Sequence, residues 1–421
     1  MATVVLVGTL DTKGEEYLWI KRELEKNGCT TVLIDVGTYS DGTLPDGSEA
    51  DYPSIEVARA IDENIDNVRQ KNDRGMSMTV MAKGSAALLA KLFSGGKVDA
   101  VLGVGGSSGS SVAASAMRAL PIGVPKLLVS TMAAGDIRPY VGAKDITVMP
   151  SIVDIAGINR ISRIILGNAV AAISAMAKAY VNRKSENNDS ERPIVAASMF
   201  GVTTPAVDEA RERLMELGYE VLVFHATGTG GQAMEALVED GHIDGVLDLT
   251  TTELVDELLG GVLSAGPDRL LAAGKSGVPQ VVSLGALDMC NFGPADTVPE
   301  KYQARNLVVH NPTVTLMRTT KSEMECLGRE VAEKLANAKA PTVLFIPNLG
   351  VSAIDVEGGP FYDPEADEAC FDAVKEGLAG TEVAICEKDM AINDPGFGKD
   401  AADALDHLIK TRNKTSREEN E

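Results

Sequence analysis

Short unbroken apolar runs alternate along this chain with longer stretches in which apolar positions recur at helical spacing. An unbroken run is what a strand buried on both faces shows, and its alternation with amphipathic stretches predicts βα units around a parallel sheet. Thr3 to Val7 is the first such strand, and it breaks at once into Gly8-Thr9-Leu10-Asp11-Thr12-Lys13-Gly14. From Glu15 to Asn27 the residues Tyr17, Leu18, Ile20 and Leu24 mark a helix that Gly28 ends. Thr31 to Ile34 is the second strand, closing on Asp35. Val36 to Pro53, rich in Gly, Asp, Ser and Pro, reads as an exposed functional loop or lid. Ile55 to Gln70 is helical. Ser77 to Phe93 holds Met81-Ala82-Lys83-Gly84-Ser85, read as a glycine-marked turn before a further helical run. Ala100 to Val104 and Lys126 to Val129 are the next two strands.

Tyr180 to Arg192 is polar, charged and poor in apolar anchors, which makes it the domain boundary. The pattern then restarts. Strands are expected at Pro193–Met199, Tyr219–Phe224, Asp244–Leu249, Gln280–Leu284, Leu307–Val309, Thr342–Ile346 and Val383–Cys386. Helices are expected at Ala206–Leu217, Met317–Ala338 and near Lys399–Lys410. The fold class is therefore α/β, with two Rossmann-like subdomains, each a mainly parallel sheet flanked by helices, and a cleft between them. The expected boundaries are residues 1–182 and 193–412, with a polar, frayed tail at 413–421.

Charge narrows the partners. Acidic residues outnumber basic ones by 61 to 39, a net charge of −22, which disfavours non-specific binding to nucleic acid or to anionic membranes. No basic leader precedes an apolar core, and no apolar run is read as long enough to span a bilayer. The five cysteines are scattered without a CxxC pair, which fits reduced thiols in the cytoplasm and gives no zinc site. A homo-oligomer is expected on general grounds, a two-fold dimer being the commonest form.

The candidate chemistry lies where strands end. In an open parallel sheet, ligands sit outside the carboxyl ends of the strands. The central stretch is Ala100 to Val104, followed by Gly105, Gly106, Ser107, Ser108, Gly109, Ser110 and Ser111 and then an Ala-rich helix. A strand feeding a Gly/Ser loop and a helix start presents backbone N–H groups to an anion. Alone, the same pattern reads equally well as a tight turn with small residues packed under a sheet. It gains weight from three companions: Gly8, Thr9, Asp11, Thr12 and Lys13 after the first strand, Lys83 and Gly84 with Ser85, and Ser130 and Thr131 after the strand at Lys126. Asp35 stands where dinucleotide folds place an acid on a ribose, although GTLDTKG is not GxGxxG. Lys13 reads equally as a phosphate partner or as a solvated lysine beside Asp11 and Glu15. Gly274-Lys275-Ser276 resembles the end of a P-loop but precedes a strand, so Gly274 reads as a helix cap.

In the second half, His225 leaves a strand into Ala226-Thr227-Gly228-Thr229-Gly230-Gly231, and His310 follows Leu307–Val309. An imidazole at such a position can act as general acid or base, or donate to a carboxylate. His225, His310 and Asp288, as the group that orients one of them, form a candidate catalytic set, with Thr250–Thr252 and Asn291 nearby. No metal ligands are assigned.

The segments GTLDTKGEE, GVGGSSGSS, STMAAGD, FHATGTGGQAME, LTTTELVDELLGG and LDMCNFGP together resemble the tomato mosaic virus resistance protein-like family, also called Tm-one-like ATP-binding-domain proteins. The resemblance runs from Val4 to about Leu408. It implies two Rossmann-like subdomains, with ATP and magnesium bound in the first, and implies no particular reaction. The leading expectation is an ATP-dependent enzyme acting on a small carboxylate or sugar-acid metabolite. The alternatives are a non-catalytic nucleotide-binding module and an ATP-independent enzyme with its chemistry in the second domain.

Overall fold

A computed structural model of the protein describes residues 1–185 and 192–418. The chain forms two units, Met1–Asp189 and Ser190–Glu421.

In the first unit the order is β1 (Thr3–Gly8), α1 (Leu10–Lys26), β2 (Thr30–Asp35), α2 (Ser54–Arg59), α3 (Ile65–Lys71), α4 (Arg74–Ser94), β3 (Ala100–Gly105), α5 (Ser107–Arg118), β4 (Lys126–Ser130), α6 (Arg138–Val141), β5 (Thr147–Pro150) and α7 (Arg160–Ser185). The five strands pair in the order β2-β1-β3-β4-β5, and every pairing is parallel. Alternate side chains of each strand serve opposite layers. Val4, Leu6, Leu102 and Leu127 meet α1 and α7 through Tyr17, Ile20, Leu24, Leu166 and Ile173. Val5, Val7, Val101 and Leu128 meet α2, α4 and α5 through Val57, Leu89 and Met117. Each fully buried aliphatic side chain contributes about 1.5–3 kcal/mol, so both faces of the sheet are strongly anchored. The apolar strand runs are thus explained by burial on two sides.

Helix α7 has the length and hydropathy to cross a membrane, contrary to the expectation that no run would qualify. One of its faces, carrying Leu166, Ala169, Val170, Ile173 and Ala177, is packed in the core of this unit. The expected linker begins too early, because α7 continues to Ser185, and residues 186–191 lie outside the described residues.

The second unit carries β6 (Ile194–Met199), α8 (Thr204–Glu216), β7 (Glu220–His225), α9 (Thr229–Glu239), β8 (Gly245–Thr250), α10 (Glu253–Leu259), α11 (Ala272–Ser276), β9 (Gln280–Gly285), β10 (Met289–Phe292), β11 (Leu307–Asn311), β12 (Val314–Arg318), α12 (Lys321–Ala336), β13 (Thr342–Pro347), α13 (Pro364–Leu378), β14 (Ala384–Lys388) and α14 (Phe397–Glu418). Six strands form a parallel sheet in the order β14-β13-β9-β8-β6-β7, while β10-β12-β11 form a small antiparallel sheet. The strand expected at Leu307–Val309 therefore belongs to a hairpin and not to the parallel sheet. Met317, expected to open a helix, is paired in β12, and the helix starts only after the Thr320 cap. Gly277, in the left-handed region, caps α11; Gly274 lies inside that helix, against Ala338. Helix α14 runs past the expected end at Lys410 to Glu418, and residues 419–421 lie outside the described residues.

Candidate functional site

The carboxyl edge of the first sheet opens into a cavity of about 500 Å³, within the range of small-molecule sites. Its walls come from the ends of β1, β2 and β3 and from the starts of α1, α4 and α5. Thr9, Asp11, Thr12 and Lys13 form one side, and Gly105 to Gly109 form another. Val36 to Tyr39 covers a third, and Arg74, Ser77, Met78 and Met81 of α4 complete it.

Local packing explains the glycines. A Cβ on Gly8 would lie 1.9 Å from the Tyr17 ring, so only glycine fits. Tyr17 is buried beneath that exit, where its hydroxyl donates to the Val7 carbonyl (2.6 Å) and accepts from the Val104 N–H (2.8 Å), tying β1 to β3. Burial raises the Tyr17 phenol above its ordinary pKa, consistent with a fixed neutral hydroxyl. Gly105 is needed as well, since its Cβ would come within 2.9 Å of Gly109 backbone atoms.

Gly106 is different. Its φ of −79° suits any residue, and a Cβ there would meet nothing closer than Thr131 Oγ1 at 3.8 Å. It is the N-cap of α5, and among the described residues no side chain caps that end. The first turn of a helix carries N–H groups without intrahelical partners, at the positive end of the helix dipole. Ser107 and Ser108 add hydroxyls at the same turn, and Arg74 donates to Ser108 Oγ at 2.8 Å. Lys13, which kinks the start of α1, donates from Nζ to the Ile155 carbonyl. Arg74 and Lys13 thus both line this cavity, beside an uncapped helix start, in a strongly acidic chain.

Several expected residues fall elsewhere. Lys83 and Gly84 sit inside α4, not at a turn, and line no part of this cavity. Gly84 is a packing position, where a Cβ would fall 2.1 Å from the Val57 carbonyl oxygen of α2. Asp35 is buried, and its Oδ1 accepts from Leu10 N (3.1 Å) and Gly37 N (2.9 Å), so it closes the start of α1 and does not line the cavity. Burial raises its carboxyl above the ordinary value despite those donors. Ser110 and Ser130 are buried and share a 2.7 Å hydroxyl hydrogen bond beneath the α5 loop. Ser130 and Thr131 line a separate hollow. The Val36–Pro53 loop is fastened by Arg69, whose guanidinium donates to Thr38 O (2.7 Å) and Ser40 O (2.9 Å). Arg74 is the cation the sequence reading missed; its one signal was the Asn-Asp pair before it, which supplies the Asp73 cap of α4.

The glycine-rich helix start of the second unit makes a revealing contrast. Glu253 fills the start of α9, accepting from Gly228 N (2.7 Å) and Gly231 N (3.1 Å). Arg269 is fully buried and holds Glu253 (2.6 Å) while gripping both oxygens of Asp248. The anion position expected beside His225 is thus filled by the protein's own carboxylate. His225 ends the outer strand β7, exposed, with its ring 5.6 Å from Phe200. His310 lies exposed on β11, one of the two outer strands of the antiparallel sheet. Asp288 is fully buried and accepts from Ser352 Oγ (2.9 Å), with no hydrogen bond to either histidine. It does not orient an imidazole. Thr250, Thr251, Thr252 and Asn291 are buried too, and Asn291 Nδ2 donates to Asp256 at 2.7 Å.

Comparison with known proteins places the chain. The N-terminal domain profile of the Uncharacterised protein family (UPF0261) matches residues 2–182, and the C-terminal domain profile matches residues 192–409. The chain belongs to the UPF0261 family. An UPF0261 protein of Clostridium tetani is 50% identical over 97% of this chain and 99% of its own length. An UPF0261 protein of Rhizobium meliloti is 45% identical over 96% and 98%. The ToMV resistance protein Tm-1(GCR237) of Solanum lycopersicum is 40% identical over 86% of this chain, which matches 50% of the tomato protein. The resemblance expected from the sequence motifs is therefore real, and both UPF0261 domains coincide with the two folded units. A solved UDP-N-acetylglucosamine 2-epimerase aligns over 90% of this chain and 92% of its own at 11% identity and a TM-score of 0.22, which carries no argument about function.

Proposed function

We propose that the first unit of this UPF0261 protein binds ATP at the carboxyl edge of its sheet, as the nucleotide-binding part of an ATP-dependent enzyme acting on a small metabolite. The observation that supports this reading most is the pairing at α5: an uncapped helix start whose Gly106 has an ordinary φ and room for a Cβ, so that its place as N-cap is the one structural preference for glycine there. A helix start with no side chain over its backbone leaves room for something to approach that backbone closely. A phosphate does so, because N–H groups at a helix start bind it directly. Arg74 and Lys13 supply the positive charge that the chain as a whole lacks. Val36, Tyr39, Met78 and Met81 offer an apolar and aromatic surface for a base in the same cavity.

Magnesium fits the donor set on one condition. Asp11 is an exposed carboxylate of the cavity, while no group of His, Cys, Asp or Glu among the described residues could hold a metal by itself. Magnesium commonly takes one or two carboxylates and completes its shell with phosphate oxygens and water. Asp11 would then hold an ion that arrives with the nucleotide and offsets phosphate charge.

The test is a pair of titrations, of ATP and of adenosine, on the full chain and its variants. Arg74→Ala and Lys13→Met should each weaken ATP by about 1–3 kcal/mol, the range for a charge-assisted hydrogen bond. Adenosine affinity should be unchanged. Equal losses for both ligands would place these cations away from the phosphates.

A further inference from the structure

The loop from Gly105 to Ser110 has a second side. Beyond it, at the carboxyl ends of β4 and β5, lies a hollow of about 420 Å³. Ser130, Thr131, Ser151, Ile152 and Asp154 are among the residues that line it. The partition from the first cavity is thin. Thr131 Oγ1 is the closest atom to the position a Gly106 Cβ would take, at 3.8 Å, and Ser130 is hydrogen bonded to Ser110 across the base of the loop. Lys13, which lines the first cavity, also donates to the carbonyl of Ile155, one residue beyond Asp154.

The lining tells what the hollow can take. Asp154 is the one charged residue in its lining among the described residues; the carboxylate is exposed and, among them, accepts one hydrogen bond, from the Ile155 N–H at 2.9 Å. The Thr131 hydroxyl makes no hydrogen bond among the described residues. Ser151 Oγ donates to the Val153 carbonyl at 2.7 Å, and the Val153 N–H returns to the Ser151 carbonyl at 2.7 Å. Between them Ile152 is held at a φ of 66° with its side chain 73% exposed. A β-branched residue rarely adopts that conformation, which is maintained only where the surroundings enforce it. The turn thus holds an exposed apolar side chain on a hollow that Ala134, Pro150 and Val153 also line, where Thr131 offers the hydroxyl left without a partner among the described residues.

We infer that this hollow is a second ligand site for a small neutral polyol, whose hydroxyls would meet Thr131 and Asp154 and whose C–H faces would meet the apolar wall, separated from the nucleotide phosphates only by the α5 loop. A free hydroxyl and a carboxylate are partners for hydroxyl groups, whereas an anionic acid would face Asp154 with no lining cation. The ligand proposed for this hollow is the uncharged counterpart of the sugar acid expected from sequence. This inference rests on the nucleotide reading only for what lies across the loop; the hollow and its chemistry stand without it.

The experiment uses the full chain and two probes, ribitol and ribonate, followed by ligand-observed NMR, with ATP affinity measured separately. Ribitol should bind, and ribonate at least tenfold more weakly. Thr131→Val and Asp154→Asn should each weaken ribitol at least fivefold while leaving ATP affinity and thermal stability within error. A preference for ribonate, ribitol binding unaffected by either substitution, or no ribitol binding at millimolar concentration would overturn the inference. Loss of ATP binding to the unaltered chain would overturn the nucleotide reading instead, and the ribitol measurements would still stand.

Discussion

Arg74 and Lys83 sit on the same helix, and only the first reaches the cavity. Lys83→Ala should therefore leave ATP affinity within twofold of the unaltered chain, a contrast that the titrations of Arg74→Ala make informative. Sequence reading chose Lys83 because Lys-Gly-Ser looks like a turn. The glycine proved to be there for close packing of α4 on α2, which a single sequence cannot show. Asp288 is a second case of a residue read for chemistry and found in structure. Burial, and next to it the Asp355 carboxylate, raise its pKa from 3.8 to about 7. Between those values the folded protein keeps a proton that the unfolded chain has lost, so this group's contribution to stability falls as pH rises from about 4 to 7. Asp288→Asn keeps an acceptor for Ser352 Oγ but has no proton to lose. The variant should melt higher than the unaltered protein at pH 8, by on the order of 1 kcal/mol in stability, and the gain should shrink at pH 5. A gain independent of pH would mean that Asp288 is ionised throughout.

At the scale of elements, the apolar runs were a reliable guide where parallel strands are buried on both faces, as β1, β3, β4, β8 and β9 are, and a poorer one for the edge strands β5, β7 and β14, which are half-buried or exposed. The hairpin β11–β12 was less legible. Its outer strand is largely exposed, and the alternation in Val314–Arg318 is too short to be told from the helix that follows. Glycine-rich helix starts were legible as a class but not individually. Those of α5 and α9 look alike in sequence, and only the structure shows that Glu253 occupies one and that no side chain caps the other. Packing between elements gives its own prediction. A methyl group on Gly84 would overlap the Val57 carbonyl, so α2 and α4 must separate to accept Gly84→Ala. Overpacking of this kind costs about 1–3 kcal/mol. Urea denaturation should show that loss, while ATP affinity of the folded fraction stays unchanged.

For the whole molecule, the division into two α/β units was legible from the polar stretch near residue 185 and agrees with the two UPF0261 domains. The location of function within it was not. Sequence reading spread candidates over both halves, since histidines and glycine-rich turns occur in each. In the second unit the buried ion pairs of Arg269, the burial of Asp288 and the filled start of α9 account for most of those residues as structure. In the first unit an acidic chain gathers two cations, hydroxyls and an open helix start around one cavity. The central claim is that this start receives the phosphates of ATP. Gly106→Val tests it most directly, because the fold has room for a Cβ there and the backbone conformation is ordinary. Calorimetric titration of ATP into the full chain and into this variant, with thermal melting as the control for folding, is the decisive measurement. The account predicts a folded variant destabilised by no more than the roughly 1 kcal/mol expected when valine replaces an N-cap glycine, and at least a tenfold loss of ATP affinity, about 1.4 kcal/mol or more. Equal ATP affinity in a folded Gly106→Val protein would contradict it.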